Sequence, residues 1–139
     1  MDRENSGRVV QIQGGVVDVA FPEGDMPEIY EAIEVPTEDG KLLVLEAQKH
    51  LADNVVRDIS MGTTDGLQRG VPARRTGAPI QVPVGDGTLG RIFNVLGDPV
   101  DNKGPVDTTE YYPIHRAAPT FSRTSASRPG YTLLLIWLK

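Results

Sequence analysis

Short apolar, β-branched runs recur through the first 84 residues at intervals of roughly ten, each closed off by Gly, Pro or Asp. They are Arg8 to Gln13 (RVVQIQ), Val16 to Phe21 (VVDVAF), Glu28 to Val35 (EIYEAIEV), Leu42 to Ala47 (LLVLEA), Asn54 to Ile59 (NVVRDI) and Pro79 to Val84 (PIQVPV). Runs this short cannot be helices of ordinary length. Six strands joined by tight turns predict an all-β barrel or sandwich, in which the apolar residues of each run are core. Glu46 to Asp53 fits either a continued strand or one helical turn, and its pattern does not decide between them.

Composition narrows the chemistry. The 139 residues hold 14 Lys and Arg against 19 Asp and Glu, a net charge of -5, which argues against a phosphate-backbone partner. There is no cysteine and there are two histidines, so neither a disulfide framework nor a thiolate or histidine-rich metal site is expected. The opening MDRENSGRVV is too polar for a secretory signal and too acidic for a mitochondrial transit peptide. The longest strongly apolar run, Tyr131 to Leu138, is eight residues, whereas a spanning helix takes about 20.

Candidate chemical groups are few. Glu28 with Glu31, or Asp18 with Glu23, has the makings of a carboxylate pair, but all four are expected at solvent-facing or turn positions of ordinary strands. His50 has no second histidine near it in sequence and reads as a surface or packing residue. Arg74-Arg75 reads as a solvated turn. The spacing Gly85-x-Gly87-x-x-Gly90 matches a dinucleotide fingerprint, which requires a helix after the glycines. Gly97-Asp98-Pro99 would end such a helix in under two turns, so the glycines are expected to be turn residues. A P-loop needs Gly-Lys followed by Ser or Thr; the one Gly-Lys here, Gly40-Lys41, is followed by Leu42.

Several stretches together carry a resemblance. "GRVVQIQGGVVDVAFPEGDMPEIYEAI" (Gly7 to Ile33) and "DNVVRDISMGTTDGLQRG" (Asp53 to Gly70) resemble the N-terminal barrel of the F-type ATP synthase β subunit family. "GAPIQVPVGDGTLGRIFNVLGDPVDNKGPVD" (Gly77 to Asp107) is similar to that family's passage from barrel to nucleotide-binding domain. "YPIHRAAPTF" (Tyr112 to Phe121) is closer to the β than to the sister α subunit. The family usually has proline where this chain has Gly15, a difference of local stiffness.

The resemblance implies an organisation: an N-terminal extension over 1–7, a six-stranded β-barrel over 8–82, and the incomplete start of an α/β P-loop nucleotide-binding domain over 83–121. Residues 122–139 form a divergent tail. Up to Thr120 the chain carries 11 basic and 19 acidic groups, whereas residues 121–139 carry Arg123, Arg128 and Lys139 and no acid. Such a break is expected of a frameshift, truncated gene or assembly error. The alternative, an interfacial membrane anchor, would rest on eight apolar residues without an amphipathic pattern.

In function, the resemblance implies a fragment of the catalytic subunit that makes ATP from ADP and phosphate using a transmembrane proton gradient. Its barrel would pack the α/β hexamer ring beside neighbouring α subunits, with the central-stalk γ subunit a partner of the full-length protein. The location implied is peripheral, on the cytoplasmic face of a bacterial plasma membrane or its organelle equivalent. Mg-ATP or ADP is the family's cofactor, bound by a P-loop lysine and threonine, a water-positioning glutamate and a Walker-B aspartate. None of those positions occurs here, so the expected lists of catalytic, cofactor-binding and metal residues are empty, and no cofactor and no activity are expected of this chain alone. Arg91 to Val95 would normally lie against a larger sheet and is expected to be an aggregation risk when uncovered. The competing expectation is a stand-alone barrel that binds neighbours through strand edges without catalysis.

Overall fold

The computed structural model describes residues 6–117. Expectations placed on the tail over 122–139, and on most of the extension over 1–7, lie outside the described residues. Two compact units are present, dividing between Ile80 and Gln81.

In the first unit, β1 (Ser6–Gln13), β2 (Val16–Ala20), β3 (Glu31–Pro36), β4 (Leu42–His50), β5 (Val55–Ser60) and β6 (Pro72–Pro79) close into a barrel. Its order is β1-β2-β5-β4-β3-β6, with β6 returning to β1 and every pair antiparallel. The β1–β2 connection is a two-residue hairpin in which Gln13 faces Val16 and Gly14 takes a φ of 58°. That sign at the first central residue matches the twist of the flanking strands, and glycine adopts it without steric cost. Bulges in β1, between Val9 and Gln11, and in β4, between Ala47 and Lys49, let the short sheet curve shut.

Alternation decides which side chains go inside. Val17 and Val19 on β2, Ile33 and Val35 on β3, Leu43, Leu45 and Ala47 on β4, and Val56 on β5 form the core with Val9, Phe21 and Ala73. Glu46 to His50 continues β4 as a strand, which resolves the ambiguous segment.

Two expectations need correction. The sixth barrel strand is Pro72–Pro79, not Pro79 to Val84. Its sequence, PARRTGAP, is poor in β-branched residues and buries one apolar side chain fully, Ala73. It becomes a strand because β1 and β3 each need a partner to close the barrel. Arg74 and Arg75 are accordingly ladder residues, paired with Glu34 and Ile33, rather than a turn.

The second unit holds β7 (Gln81–Pro83) and β8 (Tyr111–Pro113), paired antiparallel as a two-stranded sheet. Between them lie a 3-10 turn at Asp86–Thr88 and a loop pinched by an isolated bridge from Phe93 to Pro99. Among the described residues no helix is long and apolar enough to cross a membrane.

Candidate functional site

The polar residues that the barrel buries are carboxylates, and their surroundings differ sharply. Asp18 and Arg57 are direct cross-strand partners on β2 and β5. Both Asp18 oxygens accept from the guanidinium, one from Nε and one from Nη2, each at 2.8 Å. This bidentate fork, with the arginine's charge, holds the Asp18 carboxyl below its ordinary range in spite of burial.

Glu31 is more enclosed, at 4% exposure. Burial alone would raise its pKa, but four donors outweigh it: Arg75 Nε at 3.0 Å, Arg75 Nη2 at 2.9 Å, and the amides of Glu28 at 2.9 Å and Gly77 at 3.0 Å. The net shift is downward. Arg75 also donates through Nη1 to Asp25 at 2.6 Å, so one guanidinium ties β6 to β3 and to the loop ahead of β3. The expectation that Asp18 and Glu31 face solvent is therefore corrected. Each is buried and committed to an arginine, and neither is available as a general acid or base.

Asp58 on β5 is the exception. It is 0% exposed, and no protein group hydrogen-bonds either carboxyl oxygen. Burial, and secondarily the charge of Asp18, push it up to about 8. Sequence reading passed over this residue because it stood inside an ordinary strand run. The available signal was its spacing: Asp58 lies two residues after core Val56, on the same face of the strand.

The remaining sequence candidates resolve into structural roles. His50 Nε2 donates to the Pro27 carbonyl at 2.8 Å, fastening the end of β4 to the chain before β3. Gly40-Lys41 sits in the β3–β4 turn, where Lys41 pairs with Asp39 at 2.8 Å and Thr37 Oγ1 donates to the Lys41 carbonyl at 2.9 Å.

The glycine-rich spacing in the second unit makes no phosphate cradle. The amides of Thr88, Leu89 and Arg91 are spent within the turn, on the carbonyls of Gly85, Asp86 and Thr88, and Asp86 adds a negative charge there. Gly87 is required for packing, since a Cβ would lie 2.1 Å from the Asp107 carbonyl oxygen. The loop that follows is organised by Arg91. Its Nε and Nη2 donate to Asp101 at 2.7 and 3.1 Å, and it reaches the carbonyls of Gly104 and Pro105. Asp101 also accepts from the amides of Ile92 and Lys103.

Among the described residues no group of three or more His, Asp or Glu is arranged to hold a metal ion. What the first unit offers is a closed, charge-latched barrel. Its open edges are gone, so strand addition, one route considered for a stand-alone module, has no edge to use on the barrel.

Comparison with known families bears on that barrel directly. Residues 9–77 match the family model described as ATP synthase alpha/beta family, beta-barrel domain. The match begins in β1 and ends in β6, covering all six barrel strands. The barrel of this chain is thus a beta-barrel domain of the ATP synthase alpha/beta family.

Proposed function

We propose that the chain is the N-terminal part of a β subunit of an F-type ATP synthase, and that its barrel packs beside the barrels of neighbouring α subunits in the hexamer ring. The observation that carries this reading is the closed barrel matched to the family over residues 9–77. A barrel with its ladder complete offers neighbours a rigid side-chain surface, suited to a ring whose members must keep their spacing while other parts move. The choice of β over α rests on the resemblance of Tyr112 to Phe121, and that of F-type on the segments from Gly7 to Asp107. Rotary ATP synthesis driven by protons belongs in this reading to the assembled enzyme, with γ as the central stalk, on the cytoplasmic face of the coupling membrane or its organelle equivalent.

The test is association. The tagged chain is mixed with purified F-type α subunit or with β subunit, and each mixture is followed by sedimentation velocity and cross-linking. Complexes with α, absent with β, are the expected result. Association with β alone would reassign the chain as α-like, and none with either, while full-length β binds α normally, would sink the ring-packing role. Titration with Mg-ATP should give no micromolar binding, because the 139 residues contain no P-loop.

A further inference from the structure

Asp58 is a carboxyl group sealed inside an apolar barrel. Its register partners are Val17 on β2 and Ala47 on β4, and Ile12 of β1 stands beside Val17 in the same row. On the other side of Ala47 the row reaches Glu31, one residue beyond the Ala32–Glu46 pair.

The charged groups around it are bound to other partners or exposed to solvent. Asp18, next to Val17 on β2, is bound by Arg57, the residue before Asp58. Lys49, opposite Arg57 on β4, is exposed. On β3, Glu31 is bound by Arg75 of β6, while Glu34 pairs with Arg74. Arg8 of β1 is exposed and donates to the Gly70 carbonyl. A carboxylate here would feel the charge of Asp18 and would have no cation within hydrogen-bonding distance. Apolar surroundings disfavour a charged group far more than a neutral one.

We propose that Asp58 is a proton lock: the barrel closes around it as the neutral acid, and loss of that proton loosens the wall formed by β2, β5 and β4. The direction follows from linkage. The group binds its proton more tightly folded than unfolded, where the ordinary value is 3.8. Stability is therefore highest at or below that value and falls as pH rises, until ionisation is complete in the folded state as well. The barrel thus loses stability between the acid range and about pH 8 through one side chain on the middle strand of that wall.

The experiment uses the full chain, its Asp58→Asn variant and its Asp58→Val variant, unfolded in urea from pH 5 to pH 9 and followed by far-UV circular dichroism. The wild-type unfolding constant, divided by that of Asp58→Asn, should rise about tenfold per pH unit up to roughly pH 7.5 and level off above. The same ratio taken against Asp58→Val should show the same slope. A ratio that stays flat across the range overturns the proposal. In case neither variant folds, the Asp58 carboxyl carbon is titrated directly in the wild type by carbon-13 NMR. A midpoint above pH 6.5 supports the lock, and one below overturns it.

Discussion

Glu31 and Asp58 lie on either side of Ala47, and the same fold treats them in opposite ways. Four donors meet the first; none from the protein meets the second. Changing Glu31→Gln removes the more buried of the two carboxylates that pair with the largely buried Arg75 guanidinium, leaving Asp25 alone. The expected loss is about 2–4 kcal/mol in urea denaturation at pH 7. Because Glu31 and Asp18 titrate below their ordinary values when folded, their stabilisation is complete above the unfolded values. It disappears as pH falls through the lowered ones. The wild type should therefore lose stability from about pH 4 downward more steeply than Glu31→Gln does, and acid titration of both proteins checks it. A second contrast sits in the first hairpin. Gly14 has φ at 58°, while Gly15 lies outside the left-handed region, and a Cβ at either meets nothing within 4 Å. Gly14→Ala should cost about 1 kcal/mol. Gly15→Ala should stabilise by about 0.4–1 kcal/mol through a less flexible unfolded chain. Thermal melts of the two variants should move in opposite directions.

Among the strands, those rich in Val, Ile and Leu announce themselves, and five of the six barrel strands overlap the runs read from sequence. The sixth meets its run only at Pro79, because β6 owes its conformation to neighbours more than 30 residues away. Nothing local in PARRTGAP favours extension, and its charged residues are held by Glu31, Glu34 and Asp25 from other parts of the chain. The run that stood in for it, Pro79 to Val84, straddles the end of β6 and the whole of β7, so a real strand was present but assigned to the wrong unit. Buried carboxylates escaped for a related reason: a charged residue in a strand is normally outward, and only three-dimensional pairing shows that Arg57 and Arg75 permit Asp18 and Glu31 to turn away from water. In the second unit the glycines were rightly turn residues, and the organising element is Arg91 with Asp101. Lysine in its place could not span two carboxylate oxygens and two carbonyls at once. Arg91→Lys should raise amide exchange at Ile92, Asn94 and Val100 by about tenfold or more. Barrel amides should keep their wild-type rates; an equal acceleration everywhere would mean that the clamp has no local role.

At the scale of the whole molecule, the decisive contact is the one that closes the barrel. β1 and β6 are paired through Ser6 with Arg74, Gly7 with Ala73 and Arg8 with Pro72, residues more than 60 positions apart. Gly7, inside this closing ladder, is also packed tightly against the end of β2: a Cβ there would fall 2.7 Å from the Phe21 ring and 2.8 Å from the Ala20 carbonyl oxygen. Closure satisfies the outer ladder of β1 and β3 together, so the eleven-residue core is sealed by six strands and by no fewer. Chain length alone leaves such a small domain marginal, and a closed ladder is what raises it above that margin. A polypeptide of residues 6–80 should therefore fold without the second unit, with a stability of about 3–5 kcal/mol and dispersed amide resonances. A polypeptide of residues 6–70, which keeps five strands and nearly all of the core but omits β6, should not. Its β1 and β3 would each present an unpaired edge, and Arg75 would no longer be there to neutralise buried Glu31. Heteronuclear NMR of the two fragments decides the matter: equal dispersion in both would mean that the core holds without closure, and collapse of both would mean that the barrel depends on the second unit.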